Sequence, residues 1–127
     1  MQQQSFQTEY DNKRQYERIR AVCLPDEILL AVFDEKGRGT GFVGISNTRL
    51  IFMDVSPIRK HRLMISLPYH QITAIGSEDS GNMPFEGSSK LTVIAGAREW
   101  DFEFHDNKKA HRAYQLIAHH LVGPGRR

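Results

Sequence analysis

The chain lacks features that mark several classes of protein. One cysteine, Cys23, leaves no partner for an internal disulfide. No apolar run approaches the roughly 20 residues that a membrane-spanning helix needs. The formal net charge at pH 7 is only +2, too small to indicate a nucleic-acid partner by itself. The glutamine-rich start is unlike a secretory signal, so we expect a cytoplasmic protein.

Length and composition indicate one main domain with short flanking segments. The chain has 127 residues, of which 39% are hydrophobic, and this is enough for a single core. We expect a polar tail and an N-terminal helix over residues 1–23, the domain itself over residues 24–123, and a basic tail over residues 124–127.

The spacing of Thr8 and Asp11 is typical of a helix N-cap. It predicts a helix from about Glu9 to Val22, with Glu9 and Lys13 as a favourable pair one turn apart. The apolar stripe of this segment is narrow, so we expect the helix to lie on the surface. It ends before Pro25, because the residue before a proline avoids helical dihedrals.

Between the N-terminal helix and residue 105 the apolar pattern has a period of two, which predicts strands with one buried face. Residues 99–105 show it most clearly, since aromatic residues alternate there with acids or histidine. The large side chains Trp100, Phe102 and Phe104 are expected to fill the interior. The candidate strands are 27–34, 41–46, 49–54, 61–67, 69–77, 90–96 and 98–105.

One amphipathic helix follows the strands. Asp106 or Asn107 is suited to cap it, and the pair Gly123-Pro124 is suited to end it. Its apolar stripe has helical spacing and consists of Ala110, Ala113, Tyr114, Ile117 and Leu121. Seven antiparallel strands followed by a helix predict a mainly β fold, either orthogonal sheets or a partly open barrel with the helix over one corner.

Residues 39–44 spell G-x-G-x-x-G, the pattern of a dinucleotide-binding loop. That loop must open a helix, whose first N–H groups hold the pyrophosphate. Here the apolar runs on both sides of residues 46–48 predict a β-hairpin instead. We therefore interpret the glycines as packing positions in bent strands.

The stretch Gly41-Phe42-Val43-Gly44-Ile45-Ser46-Asn47-Thr48-Arg49-Leu50-Ile51-Phe52 resembles the signature Gly-x-x-x-(Leu/Ile)-Thr-(Asn/Asp)-x-Arg-Leu-(Ile/Leu)-Phe of bacterial pleckstrin-homology-like domains. Residues 66–75 are similar to the next hairpin of that family. The resemblance covers about residues 24–121. It implies a bent sandwich or barrel of seven strands, capped by a C-terminal helix and without catalytic activity, to which the N-terminal helix is an addition.

Basic residues in two loops form a candidate binding rim. In the inferred fold, the densest basic run lies in the third loop, on the same rim as the first loop. The rim consists of Lys36, Arg38, Arg59, Lys60 and Arg62. It is suited to anionic lipid headgroups or an acidic partner, or it is a solvated loop that protects a sheet edge. Phosphoinositide-binding relatives carry basic residues in the second strand, and residues 42–45 have none.

The sequence gives little support for metal binding, catalysis or nucleic-acid binding. His111 and His119 are two helical turns apart, too far to chelate one metal ion, and no catalytic motif accompanies Cys23. The strand aromatics alternate with acids, which argues against nucleic acid. We expect no cofactor and no metal.

The sequence therefore predicts a non-enzymatic binding or assembly module that makes protein–protein contacts or self-associates. The alternative is a peripheral adaptor at the inner membrane face that binds anionic lipid through the rim. A third option, an apolar ligand inside the barrel, is disfavoured by the large interior side chains.

Overall fold

The computed structural model describes residues 7–36, 41–54, 63–79 and 89–122. Along them lie eight strands and two helices, with a 3-10 turn at Tyr69–Gln71. The elements in chain order are β1 (Glu9–Tyr10), α1 (Lys13–Val22), β2 (Leu29–Asp34), β3 (Phe42–Ser46), β4 (Arg49–Asp54), β5 (Leu63–Pro68), β6 (Ala74–Asp79), β7 (Ser89–Ala95), β8 (Arg98–Phe104) and α2 (Lys109–Val122).

The strands form two sheets. Sheet A has the order β1-β2-β3-β4-β5, and sheet B has the order β6-β7-β8. Neighbours are antiparallel except β1, which runs parallel to β2. The sheets meet at one corner, where Glu35 and Phe104 form an isolated bridge. The strands of these ranges form no closed barrel, so the predicted fold is confirmed in its bent-sandwich form.

The main core lies between the two sheets and under α2. Strand alternation turns apolar side chains inward from both sheets, and α2 adds Ala110, Ala113 and Ile117, all fully buried. Phe52 makes edge-to-face contacts with Phe102 at 5.1 Å and with Trp100 at 5.4 Å between ring centroids. The aromatic side chains thus fill the interior, although Trp100 itself is only half-buried.

The start of α2 is capped by two residues. Asp106 Oδ1 accepts from Lys108 N–H at 2.7 Å, as the sequence predicted. Ser89 Oγ accepts from Ala110 N–H at 2.9 Å and donates to Asp106 O at 2.7 Å. No local pattern predicts this second cap, because Ser89 lies on β7, far from α2 along the chain.

A second apolar cluster lies on the outer face of sheet A, beneath α1. Ile19 of α1 is fully buried there. It packs in a cluster with five side chains from the sheet, namely Leu29, Val32, Phe42, Ile51 and Met53. The helix lies on the surface as predicted, but it also completes a small core of its own.

The predicted start of the N-terminal helix is wrong. Glu9 and Tyr10 form β1 instead, and Thr8 Oγ1 donates to Leu29 O at 2.8 Å. The true N-cap is Asn12, whose side chain accepts from the backbone N–H groups of residues 14 and 15. Residues 9 and 10 pair with the edge of β2 instead of starting the helix. The backbone groups at a sheet edge can pair with an extended segment but not with a helix.

The predicted strand 69–77 also begins too early. Residues 69–71 form the 3-10 turn, and the strand starts at Ala74. The cause is Tyr69, whose hydroxyl is drawn inward to donate to Ser46 O at 2.6 Å. Burial raises the pKa of this phenol, so it stays a hydrogen-bond donor throughout the physiological range.

Candidate docking surfaces

The glycine-rich segment opens a strand and not a helix. Gly41 directly precedes β3 and Gly44 lies within it, as the sequence predicted. A Cβ added at Gly41 would lie 2.5 Å from Glu35 Oε1, and one at Gly44 would lie 2.8 Å from Ile19 Cγ2. Gly44 therefore serves close packing against Ile19, whereas the neighbour of Gly41 is the flexible end of the Glu35 side chain. Neither glycine opens a helix that would hold a phosphate.

Of the predicted basic rim, the structure places Lys36. This residue follows β2, and its backbone N–H donates to Glu103 O at 2.6 Å where the two sheets meet. The other four rim residues, Arg38, Arg59, Lys60 and Arg62, lie outside the described residues. The rim as a site therefore stays a prediction from the sequence.

Arg49, the arginine of the family-like signature, clamps the segment between α1 and β2. Its guanidinium donates to both carboxylate oxygens of Glu27 at 2.8 Å and to Val22 O at 3.0 Å. Ser46 Oγ adds a bond to Glu27 Oε2 at 2.6 Å. The hydrogen bonds from Arg49 are the main cause that lowers the pKa of Glu27 to about 2. Both Glu27 oxygens and the Arg49 guanidinium are engaged in hydrogen bonds within the protein, so we interpret the pair as structural.

Cys23 is half-buried beside this clamp. Burial raises the pKa of its thiol, and the nearby Glu27 carboxylate acts in the same direction. The thiol is therefore protonated at neutral pH and a weak nucleophile. Over the described ranges, no three His, Cys, Asp or Glu side chains come together in a way that could hold a metal ion.

The solvent-facing side of α1 is strongly basic. Lys13, Arg14, Arg18 and Arg20 are exposed, and Glu17 is the only carboxylate of the helix, which gives it a formal charge of +3. None of the four cations has an ion-pair partner in the part of the chain that the structure describes. We call this surface the basic face.

The outer side of sheet B is acidic. Glu99, Asp101 and Glu103 lie at alternate positions of β8 and are exposed, because alternate strand residues share a face. Glu78 of β6 and Lys90 of β7 continue the row across the sheet from Glu103. No described cation forms an ion pair with any of the four carboxylates. We call this surface the acidic face.

The two charged faces lie on opposite sides of the molecule. α1 covers the outer side of sheet A, and the main core separates sheet A from sheet B. The outer side of sheet B therefore points away from α1. The order through the sandwich is basic face, sheet A, core, sheet B and acidic face.

Exposed apolar side chains gather where α1 ends and β2 begins. Val22, Leu24 and Ile28 are 40%, 62% and 48% exposed. A groove of about 400 Å³ runs past Leu24 and Ile28, with Arg20 also in its wall. This apolar end adjoins the basic face, so a partner there could make charged and apolar contacts together.

Sequence reasoning missed the basic face. The four cations of α1 are visible in the sequence, but the denser run at residues 59–62 suggested the loops as the site of charge. The acids of β8 are also visible in the sequence, as the polar positions of the alternating run at residues 99–105. The described helices include none long and apolar enough to cross a membrane.

The fold is similar to that of solved bacterial proteins. A pleckstrin homology domain from Shewanella amazonensis superimposes with a TM-score of 0.63 and 18% sequence identity, over 94% of each chain. A DUF1696 family protein with a pleckstrin-homology domain from Shewanella loihica gives a TM-score of 0.65 and 18% identity, over 91% of this chain and 97% of its own. No protein-family model matches the sequence, and no curated protein matches it.

Proposed function

We propose that this chain, which has a pleckstrin-homology-like fold, is a non-enzymatic assembly module that binds further copies of itself head to tail. The fold is confirmed by the two solved relatives. The proposal rests on one observation, the opposite charge of two opposite faces. The basic face carries +3, and the acidic face carries four carboxylates beside one lysine.

The placement of these faces favours a head-to-tail contact over a symmetric dimer. In a two-fold dimer each surface patch meets its own copy, which would place like charges together. A contact between two different patches instead repeats from copy to copy and builds a ring or a filament. The basic face of one copy is then covered by the acidic face of the next.

Apolar residues beside the charged groups supply further contact. Val22 and Leu24 lie next to the basic face, and the half-buried Ile94 lies directly across from Glu99 on the acidic face. In protein interfaces, buried apolar side chains carry much of the affinity, whereas charges steer the encounter and set the partner. Both kinds of group are present on these surfaces.

The experiment is light scattering coupled to size exclusion, on the full chain in 50 mM and 500 mM NaCl. We expect a mass above the monomer at low salt and a smaller mass at high salt, because salt screens exposed charges. The charge reversals R14E/R18E and E99K/D101K should each give monomer. In a mixture of the two variants, the unchanged basic face of one meets the unchanged acidic face of the other, so the mixture should give a mass above the monomer.

A matched control is Lys108→Glu, which reverses an exposed charge outside both faces and should keep the wild-type mass. A monomer for the wild type at low salt would overturn the proposal. The proposal would also be overturned if a mixture of the two charge-reversed variants still gave only monomer.

The alternative, a peripheral membrane adaptor, is favoured by the same unpaired cations of α1 together with the predicted rim. Juxtaposed cations near an anionic surface contribute about 1 kcal/mol each. Co-sedimentation with vesicles of 70% phosphatidylcholine and 30% phosphatidylglycerol tests it. Binding at 50 mM NaCl that R14E/R18E abolishes would support a lipid partner, and no binding at that salt would contradict it.

A further inference from the structure

The N-terminal segment Glu9–Val22, comprising β1 and α1, covers an apolar surface with few apolar groups of its own. Five side chains of the second cluster belong to sheet A, and only Ile19 belongs to α1. The sheet side chains are at most 9% exposed. Tyr16 contributes only in part, since it is half-buried and stacks on Tyr10 at 4.7 Å. The segment therefore hides much apolar surface while it contributes little.

Ion pairs with α2 hold the N-terminal end of this segment, at Glu9 and Asp11. Glu9 forms a two-pronged ion pair with Arg112, in which Nη2 donates to Oε2 at 2.8 Å and Nε donates at 3.1 Å. Asp11 forms a second pair with Lys109 at 3.1 Å. The Glu9–Arg112 side chains are 45–46% exposed, so water and salt reach the pair. β1 adds two residues of strand pairing with β2. Asp34 adds two hydrogen bonds, one from its backbone N–H to Asp11 Oδ2 at 2.9 Å and one from Gln15 Nε2 to its Oδ1 at 2.8 Å.

We propose that Glu9–Val22 is a releasable strap, closed by the Glu9–Arg112 and Asp11–Lys109 pairs, whose opening uncovers the apolar outer face of sheet A. The segments of a protein that open first are those with few buried apolar contacts and exposed polar ones. The strap fits that description, and the main core does not include it. Opening thus leaves the sandwich intact and presents Val32, Phe42 and Ile51 to solvent.

The position of the pairs makes the strap sensitive to salt. Exposed ion pairs weaken as ionic strength rises, whereas the buried contacts of Ile19 do not. Removal of one exposed pair typically changes an equilibrium by a factor of two to five, roughly 0.4–1 kcal/mol. We therefore expect the open fraction to rise by about this factor when either pair is lost.

Trypsin reports directly on the open state, because its cleavage sites Lys13, Arg14, Arg18 and Arg20 lie within the strap. The experiment follows cleavage at these four bonds by mass spectrometry in wild type, Glu9→Gln and the swap E9R/R112E. We expect E9Q to speed cleavage two- to fivefold and the swap to restore the wild-type rate. Fluorescence of a hydrophobic dye should rise with E9Q, as the sheet face is uncovered.

Glu17→Gln is the matched control, because it removes an exposed carboxylate of the same segment that has no ion pair in the described structure. Equal cleavage rates for E9Q and E17Q would overturn the proposal. Amide exchange in β4 and β7 separates strap opening from global unfolding, and it should be unchanged in E9Q. If it accelerates in parallel with cleavage, the strap does not open on its own. All of these variants are measured in the E99K/D101K background, in which the proposed head-to-tail contact cannot form, so the readouts are independent of self-association.

Discussion

At the scale of single residues, Arg49 and Glu27 join parts of the chain that lie 22 positions apart. The Arg49 guanidinium also donates to Ser66 Oγ at 2.6 Å, so this one side chain of β4 connects the end of α1, the segment between α1 and β2, and β5. The sequence predicted that Arg49 belongs to a family-like signature, but not its partner. Glu27 is one of many surface-type acids until the fold brings it to the arginine, where its side chain is 2% exposed.

Glu27→Gln should therefore destabilise the protein. The pKa of Glu27 falls from an ordinary 4.5 to about 2 on folding, which corresponds to about 3 kcal/mol at neutral pH. Urea unfolding at pH 6 should show a loss of this size. Glu99→Gln, which removes an exposed acid of the acidic face, is the control and should change stability little.

The pH dependence follows from the sign of the same shift. Because the pKa is lower in the folded protein, the stabilisation is complete above the unfolded value and is lost as the pH falls through 4.5 towards 2. The difference between wild type and E27Q should therefore shrink by roughly half between pH 6 and pH 3. A difference that stays constant over this range would show that the ion pair is not its cause.

At the scale of elements, the sequence predicted those parts whose signal is local. The alternation of residues 99–105 gave β8, and the helical stripe from Ala110 to Leu121 gave α2. β1 could not be found this way, because two residues carry no pattern and their partner is β2, about 20 positions away. The charged faces were hidden for a related reason, since only the layer order shows that α1 and β8 face opposite directions.

The contact of α1 with β3 gives a prediction at this scale. Gly44→Ala would place its Cβ 2.8 Å from Ile19 Cγ2, so we expect a loss of 1–3 kcal/mol, roughly the usual cost of overpacking. The loss should shrink in an Ile19→Ala background, because the clash is then relieved. Unfolding in urea measures both values.

Gly76→Ala is the matched control for that substitution. Its added Cβ would have no neighbour closer than Thr92 Cβ at 4.0 Å, an ordinary van der Waals distance. We expect no loss, or a small gain from the reduced freedom of the unfolded chain. If both glycine variants lost the same stability, the close packing of Ile19 on Gly44 would not be the reason.

At the scale of the whole molecule, the layers combine two properties that the composition conceals. The net charge of +2 is small because basic and acidic residues nearly balance. The described surface nevertheless has a basic face and an acidic face on opposite sides. Likewise, sheet A has apolar side chains on both of its sides, and each side is covered by a different helix or sheet. Averages over the sequence cannot show either property, because both depend on which residues share a side.

The ion pair between Glu9 and Arg112 joins residues 103 positions apart, and this distance has a consequence during synthesis. A ribosome adds about 5–20 residues per second, so the N-terminal helix is made on the order of 5–20 s before the arginine that anchors it. Sheet A is complete by Pro68, so for much of that interval the segment has the sheet surface that it covers but not its anchor on α2. Until Arg112 is made, the ion pair that closes the strap over this surface cannot form.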